Sequence, residues 1–396
     1  MRVYADNAAT TKMSRKAIDA MLPYLDGMYA NPSGLYEGGR RAREAVDDAR
    51  TRIGNCFGCS GREIIFTSGG SEADTQAVIT AASIGEKKGK KHMISTAFEH
   101  HAVLNALKFL ETRGFEITLI DIPEDGIVKP GQIQKALRED TCLVSMMYAN
   151  NEIGTIQPVA ETGKLCREHG VLFHTDAVQA AGHISVDVVR DNIDMMSVSA
   201  HKFHGPKGAG ALYMRKGIRA ASVIFGGAQE RGRRAGTENV PAIMGMAAAL
   251  DEACELMEIN ADRTVKLRNR LIDGLFEIPH SVLNGSRSSR LPGNISFSFE
   301  AVEGETMLIL LDQKGISASS GSACASGSVD PSHVITALGR THEIALGTLR
   351  LTIGENNTDE EIDYIIDHVK STVETLRSCS PVWRELQAGR REYVLK

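Results

Sequence analysis

The sequence predicts an α/β fold, a mostly parallel sheet flanked by helices, followed by a smaller α+β domain. Three features of the chain predict it. Short apolar runs alternate with helical patterns from the N-terminus to residue 215. Glycine makes up 38 of 396 residues and proline only 11, a balance that suits many tight strand–helix turns better than a β-sandwich. Near residue 240 the alternation gives way to long helical stretches.

The first clear element is helical: Ala42, Ala45, Val46, Ala49 and Ile53 recur at the spacing of one helix face. The apolar run 64–67 reads as a strand and ends in Ser68-Gly69-Gly70-Ser71-Glu72, where a helix begins. Further strands are expected at 93–96, 117–120, 143–149, 171–175 and 195–198, separated in part by helices near 101–113, 131–139 and 158–169. From 240 onward the pattern gives a bridging helix and a smaller α+β domain. Its expected elements are helices 240–257 and 259–278, a strand at 294–299, a helix near 305–314, a Gly/Ser/Ala-rich segment at 315–328, a strand at 348–353 and a helix at 358–377. A polar tail closes the chain, and no internal repeat or long linker is visible.

Composition narrows the function classes. At 42% hydrophobic residues the chain can bury a large core and is not a disordered protein. Lys and Arg number 45 against 50 Asp and Glu, a formal net charge of −5 that does not suggest a nucleic-acid binder. Seven scattered cysteines, an odd count, suit free thiols in a reducing compartment rather than a disulfide scaffold. The opening MRVYADNAATTKMS lacks a signal-peptide core, and the least polar stretch, 240–250, is about half the ~20 residues of a membrane helix. A cytoplasmic, unanchored protein is therefore expected.

Four segments carry candidate chemistry. Ser199-Ala200-His201-Lys202, followed by a Gly-rich stretch to Gly210, places a lysine just past a strand end. Partial desolvation there would lower its pKa, as an amine nucleophile or Schiff-base lysine requires, although surface lysines in a strand–turn–strand fit equally. Thr67 to Glu72 opens a helix whose backbone N–H groups and hydroxyls suit an anion such as phosphate, or simply cap the helix. The absence of GxxxxGK[ST] disfavours a P-loop NTPase. His174-Thr175-Asp176-Ala177-Val178-Gln179 sets a carboxylate at a strand end, where it can face a ring nitrogen or cap the next helix. Ser319-Ser320-Gly321-Ser322-Ala323-Cys324-Ala325-Ser326-Gly327-Ser328 surrounds a cysteine with little apolar surface, which suits an exposed, reactive thiol or an idle one.

Other features rank lower. Cys56-Phe57-Gly58-Cys59 lacks the second cysteine pair or spaced histidines of a zinc site. The run Glu86-Lys87-Lys88-Gly89-Lys90-Lys91 reads as a solvated helix end. The basic stretch Arg231-Gly232-Arg233-Arg234-Ala235-Gly236-Thr237 could meet a phosphate or a substrate carboxylate.

In order and spacing, the set resembles the cysteine desulfurases, pyridoxal-phosphate (PLP) enzymes of fold type I in the class V aminotransferase superfamily. Matching stretches run from Asp6-Asn7-Ala8-Ala9-Thr10-Thr11 through Asn31-Pro32-Ser33, Glu99-His100-His101, Asn150-Asn151-Glu152-Ile153-Gly154 and Arg350 to Ser380-Pro381-Val382-Trp383. The long Cys324 segment is similar to that of the housekeeping and nitrogen-fixation branch. The resemblance implies a large PLP-binding domain over 13–255 with a seven-stranded, mostly parallel sheet. It implies a small α+β domain from 1–12 and 256–396 that carries a mobile cysteine loop.

It also implies site roles. Lys202 would tether PLP; Gly70, Ser71, Ser199, His201 and, from the other subunit of a homodimer, Thr237 would hold its phosphate end. Asp176 would pair with the pyridine nitrogen, Gln179 with the ring oxygen, and His100 would stack on the ring and shuttle protons. Asn151 would lie near cofactor and substrate, and Arg350 would grip the substrate carboxylate. The amine of Lys202 would take the α-proton of L-cysteine. The Cys324 thiolate would take the sulfur as a persulfide and leave alanine. No resident metal is implied, although Cys324 would meet an iron–sulfur cluster transiently during transfer to an acceptor such as a scaffold protein, whose docking region in this family resembles the tail near Trp383. Tyr36 (usually His), Ser71 (usually Thr) and Asp74-Thr75 (usually an Asn pair) depart from the family pattern. The runner-up is a selenocysteine lyase or another class V β-eliminating enzyme, which need not use Cys324. A non-catalytic sulfur carrier and a thioredoxin-like role for Cys56 and Cys59 are weaker alternatives.

Overall fold

The computed structural model describes residues 1–320 and 330–395. The chain opens with β1 (Val3–Tyr4) and then builds the large sheet from β2 (Ile64–Thr67), β3 (His92–Thr96), β4 (Glu116–Ile120), β5 (Thr141–Ser145), β6 (Leu172–Asp176), β7 (Met195–Ser199) and β8 (Gly210–Met214). Their order is β2-β8-β7-β6-β5-β3-β4. β8 runs antiparallel to both of its neighbours, and the remaining pairings are parallel.

Helices cover both faces, which is why the interior of most of these strands is buried on both sides; the edge strand β4 is partly exposed. Side chains alternate between the faces. Ile65, Met93, Leu143, Met195 and Leu212 pack with Ala73, Ala77 and Ala81 of helix Gly70–Glu86 and with Leu107 of helix His101–Glu111. Phe66, Ile94, Val144, Phe173, Met196 and Val198 pack on the other face with Val46, Ala49 and Ile53 of helix Glu37–Cys56. The strand expected at 143–149 ends at Ser145, but the amides of Met146 and Tyr148 still donate to the carbonyls of His174 and Asp176, so the chain keeps following β6. Asp176 does not cap a helix, because turns follow it.

The small domain holds β9 (Ser281–Leu283), β10 (Asn294–Phe299), β11 (Ile316–Ser317) and β12 (Thr348–Thr352). β12, β10 and β9 form an antiparallel sheet, while β11 pairs with β1 and so ties the N-terminus to this domain. Val3, Ala5, Phe297, Leu351 and Ile365 share its core. The two helices expected at 240–257 and 259–278 are one 37-residue helix, Val240–Phe276. Nothing between Asp251 and Asp273 is Gly or Pro, so no residue interrupts the backbone ladder. Its first half packs Met246, Ala247 and Leu250 in the large core and its second half packs Leu267, Leu271 and Leu275 in the small one.

Two of the three arginines in the basic stretch 231–237 turn inward instead of meeting a ligand. Arg234 Nε donates to Glu72 at 2.8 Å, and Arg233 bonds the carbonyls of Glu230, Arg62 and Ile64. The segment is anchored by Glu230, whose carboxylate takes a two-pronged bond from buried Arg50 (2.7 Å each) and one from the amide of Phe66. Glu230 and Arg231 adopt left-handed φ values of 49° and 59°, which such residues keep only under tertiary restraint. Glu230→Ala strips the buried Arg50 of its two-pronged carboxylate and leaves it the Ile64 carbonyl and a 3.7 Å contact with half-exposed Asp47. A loss of about 3–5 kcal/mol is expected, read as a lower denaturant midpoint of the cofactor-free protein; an unchanged midpoint would show the pair to be dispensable.

Two buried glutamates make stability pH-dependent. Burial pushes Glu99 up to about 8 despite bonds from Thr96 Oγ1 (2.6 Å) and the Met147 amide (2.9 Å). Burial likewise raises Glu152 to about 7, against a bond from the Ser332 hydroxyl. Unfolded glutamates titrate near ~4.3, so the folded chain holds these protons longer. Their contribution is full below that value and is lost as pH rises through about 7 and 8. His174 and His201, lowered by burial to about 3 and about 4, act in the opposite sense below ~6.5. The denaturant midpoint of the cofactor-free protein should therefore fall between roughly pH 6.5 and 8. In Glu99→Gln the decline should be shallower, and an equal slope in both proteins would rule out a raised Glu99.

Candidate active site

Parallel strands that end on one side of a sheet leave a crevice there, and it holds a cavity of 310 Å³. Gly70, Ser71, His100, Asn151, Asp176, Gln179, Ser199, His201, Lys202 and Arg350 all line it. Of the residues singled out in the sequence, Thr237 is exposed and not part of its wall, and Cys324 lies outside the described residues.

β7 delivers Ser199 and a short turn, Ala200–Lys202, that carries the lysine. Lys202 Nζ donates to the carbonyl oxygens of Ala8 (2.6 Å) and Ala9 (2.8 Å). His201 Nδ1 lies 3.2 Å from Thr10 Oγ1, and burial with the neighbouring Lys202 and Lys207 charges keeps this imidazole neutral.

β2 leads into helix Gly70–Glu86, whose N-terminus faces the cavity. Gly69, just before it, has φ +156°, ψ −176°, a region open to glycine alone. Its backbone also meets that of Gly210, where a Cβ would sit 2.6 Å from the Gly69 Cα. Free N–H groups and the Ser71 hydroxyl at this end suit an anion.

β6 ends in Asp176. Its Oδ1 accepts from the Val178 amide at 2.9 Å, and burial raises its pKa against the opposing pull of His100 and Lys202. Asp74, on the Gly70–Glu86 helix, reaches the same cavity. Burial and the Asp176 charge push it well above the carboxylate range, and its Oδ1 is buried without a hydrogen-bond partner. Neutral His174 lies below, bonded to the hydroxyls of Ser145 and Ser197. Gln179 Nε2 donates to the carbonyl of Ala8 at 3.0 Å.

His100 caps helix His101–Glu111: its Nδ1 accepts from the Ala102 amide at 3.1 Å, so the neutral ring carries its proton on Nε2. Burial lowers its pKa, and Asp176 opposes that shift. Arg350, on β12, is buried; Nη2 bonds Asp6 at 3.0 Å, Nη1 bonds the carbonyl of Asn151 at 3.3 Å, and Nε has no partner. The wall thus offers an anion site, a buried carboxylate, an amide, an amine and a guanidinium with donor capacity to spare. That donor set fits the phosphate, ring nitrogen, ring oxygen and carbonyl carbon of pyridoxal phosphate, and it leaves Arg350 for a carboxylate.

Sequence reasoning gave no role to Asp6, Ala8, Ala9 or Asp74. Asp6, Ala8 and Ala9 stand in a stretch noted only for its resemblance, and backbone carbonyls leave no mark on residue type. Asp74 was noted only as a departure from the family pattern. Among the described residues no group of three or more His, Cys, Asp or Glu side chains could hold a metal, and no helix is long and apolar enough to cross a membrane.

Comparison with known proteins agrees with this geometry. The aminotransferase class-V family model matches residues 3–365. Cysteine desulfurase IscS of Methanosarcina thermophila is 48% identical over 380 residues, 96% of this chain and 94% of that protein. Cysteine desulfurase IscS of Clostridium botulinum (strain Hall) is 46% identical over 394 residues, 99% of each chain. Among solved structures, a NifS-like protein superposes with a TM-score of 0.89 at 37% identity, covering 95% of this chain and 100% of that one. SspA in complex with cysteine superposes with a TM-score of 0.79 at 32% identity, covering 90% and 100%. The chain belongs to the class-V aminotransferases, pyridoxal-phosphate proteins of fold type I, and within them to the cysteine desulfurases.

Proposed function

We propose that the chain converts L-cysteine to L-alanine, passes the sulfur to Cys324 as a persulfide and supplies it for iron–sulfur cluster assembly. The convergence of Lys202, Asp176 and Arg350 on one cavity carries this reading. When bound, pyridoxal phosphate supplies an electron sink for negative charge at the substrate α-carbon.

The chain's own groups do the rest. Lys202 would tether the cofactor, and its amine would take the substrate α-proton. Gly70, Ser71, Ser199 and His201 hold the phosphate, with Thr237 contributed by the partner subunit of a homodimer. Asp176 would hold the ring nitrogen, Gln179 the ring oxygen, and His100 would border the ring. Arg350 takes the substrate carboxylate through donors that Asp6 and Asn151 leave free, and Asn151 borders both ligands. The Cys324 thiolate attacks the substrate sulfur, forming an S–S bond as the Cβ–S bond breaks, and the electron pair returns to the carbon skeleton that becomes alanine. Proton exchange at His100 runs through Nε2 and requires release of the Ala102 amide. The enzyme works in the cytoplasm, and its acceptor is a scaffold protein or another thiol carrier.

Mass spectrometry after incubation with L-cysteine should show a gain of ~32 Da on the Cys324 peptide with equimolar alanine. Alanine formed at the normal rate by Cys324→Ala would instead favour a lyase that needs no enzyme thiol. Lys202→Ala should lack the absorbance near ~420 nm of the tethered cofactor. Arg350→Ala should lower kcat/KM for cysteine about ten- to a hundredfold, the value of a charge-assisted bond to the carboxylate.

A further inference from the structure

A second cavity, of 390 Å³, adjoins the same turn and the same strand end: His183, His204 and Glu355 line it, where Lys202 and Arg350 line the first. His204 stands two residues after Lys202, and Glu355 five residues after Arg350. The one belongs to the large domain and the other to the loop that leaves β12.

His204 is held on every side. Its φ is +64°, a left-handed conformation that His adopts at a cost. Its amide donates to Thr11 Oγ1 at 2.8 Å and its carbonyl accepts from the Ser14 amide at 2.9 Å. The ring bridges two acceptors, with Nδ1 at 3.0 Å from the carbonyl of Lys12 and Nε2 at 3.4 Å from Glu355 Oε1. A neutral imidazole protonates only one nitrogen, so a ring that faces acceptors through both is best satisfied as the cation. Glu355 sits on a loop fixed by the Gly354 amide to Asn357 Oδ1 bond at 2.8 Å, and Asn357 reaches the carbonyl of Tyr4. Behind the lysine, His183 Nε2 lies 2.9 Å from the Lys202 carbonyl.

We propose that the His204–Glu355 ion pair is a proton-dependent latch between the domains, and that these two positioning residues set Lys202 against Arg350 for capture of the substrate carboxylate. This rests on the desulfurase reading. The charged groups that face the pair are Lys12 and Arg15 from the N-terminal segment, His183 from the turns after β6, and Glu252 from the long helix. The Glu355 hydrogen bond and charge raise His204 against its burial, and His204 holds Glu355 down at about 2. The pair is thus ionised from about pH 2 upward and opens as pH rises through the raised value of His204.

The test uses the cofactor-loaded protein with labelled histidine. The His204 resonance is identified by its loss in His204→Asn, which tolerates a left-handed φ. His204 should titrate above the ordinary histidine value of ~6.5 and fall toward it in Glu355→Gln. At neutral pH Glu355→Gln should raise KM for cysteine about three- to tenfold while kcat stays within about twofold. With rising pH the wild-type KM should climb to meet that of the variant once His204 has lost its proton. An unshifted His204 in Glu355→Gln, or a KM ratio independent of pH, overturns the latch. If the wild type made no alanine from cysteine, the desulfurase reading would fail, while the His204 titration would still decide whether the ion pair exists.

Discussion

The site depends on burying acids without giving them a cation of their own. Asp176 and Asp74 share one cavity; both are buried and raised, and Asp74 Oδ1 has no hydrogen-bond partner. A fold does not retain such groups for stability, since an unpaired buried carboxyl carries a desolvation penalty of several kcal/mol when ionised. The charges of His100 and Lys202 oppose the rise at Asp176 without cancelling it, and Lys202 Nζ also donates to the carbonyls of Ala8 and Ala9. The arrangement is therefore matched to a guest that brings a positive ring nitrogen to the Asp176 side and an anion to the opposite donors. Burial keeps His174 and His201 neutral, so the surrounding imidazoles do not compete for the acids.

The first fourteen residues explain how the two domains share one site. Val3 and Tyr4 pair with β11 of the small domain, and Asp6 bridges to Thr352. Asp6 also bonds Arg350. The next residues then cross to the large domain: Ala8 and Ala9 take the Lys202 amine, Thr11 bonds the His201 carbonyl and the His204 amide, and Ser14 bonds the His204 carbonyl. One short segment of backbone, turning at residues 7–9, thus touches both Lys202 and Arg350. Hydrogen bonds along this segment therefore couple the positions of the two cations.

What the sequence revealed and what it hid divide along physical lines. Strands sandwiched between helices are apolar on both faces, so 64–67 and 195–198 stood out with no homologue in view. β8 did not, because its Gly210-Ala211-Leu212 start merges with a glycine-rich turn, and its antiparallel direction is a property of the connection rather than of the residues. The long helix looked broken because the core it serves changes midway; Ile259 is 71% exposed where neither core covers it. Side chains with chemistry of their own, Lys202, Asp176, His100 and Arg350, were visible, and they meet in one cavity. Roles played by main-chain atoms were not, and neither was the inward turn of Arg233 and Arg234, which depends on Glu72, Arg62 and Ile64 lying far off in sequence.

Hydrogen-bond direction also separates the groups that border the cavity by what they can do with a proton. A neutral imidazole whose Nδ1 accepts from an amide has Nε2–H as its outward face, so His100 offers the cavity a donor and no lone pair. Protonating it would set Nδ1–H against the Ala102 N–H, and burial separately lowers the pKa of this ring. In this conformation His100 is suited to contact and orientation, and it becomes a base only if the helix cap opens. Lys202 differs, because its acceptors are two carbonyls on a neighbouring segment and its long side chain can leave them without breaking a secondary structure. Of these two residues, Lys202 is the one that can reorient without opening a helix cap, which places the demand for precise geometry on the turn that carries it.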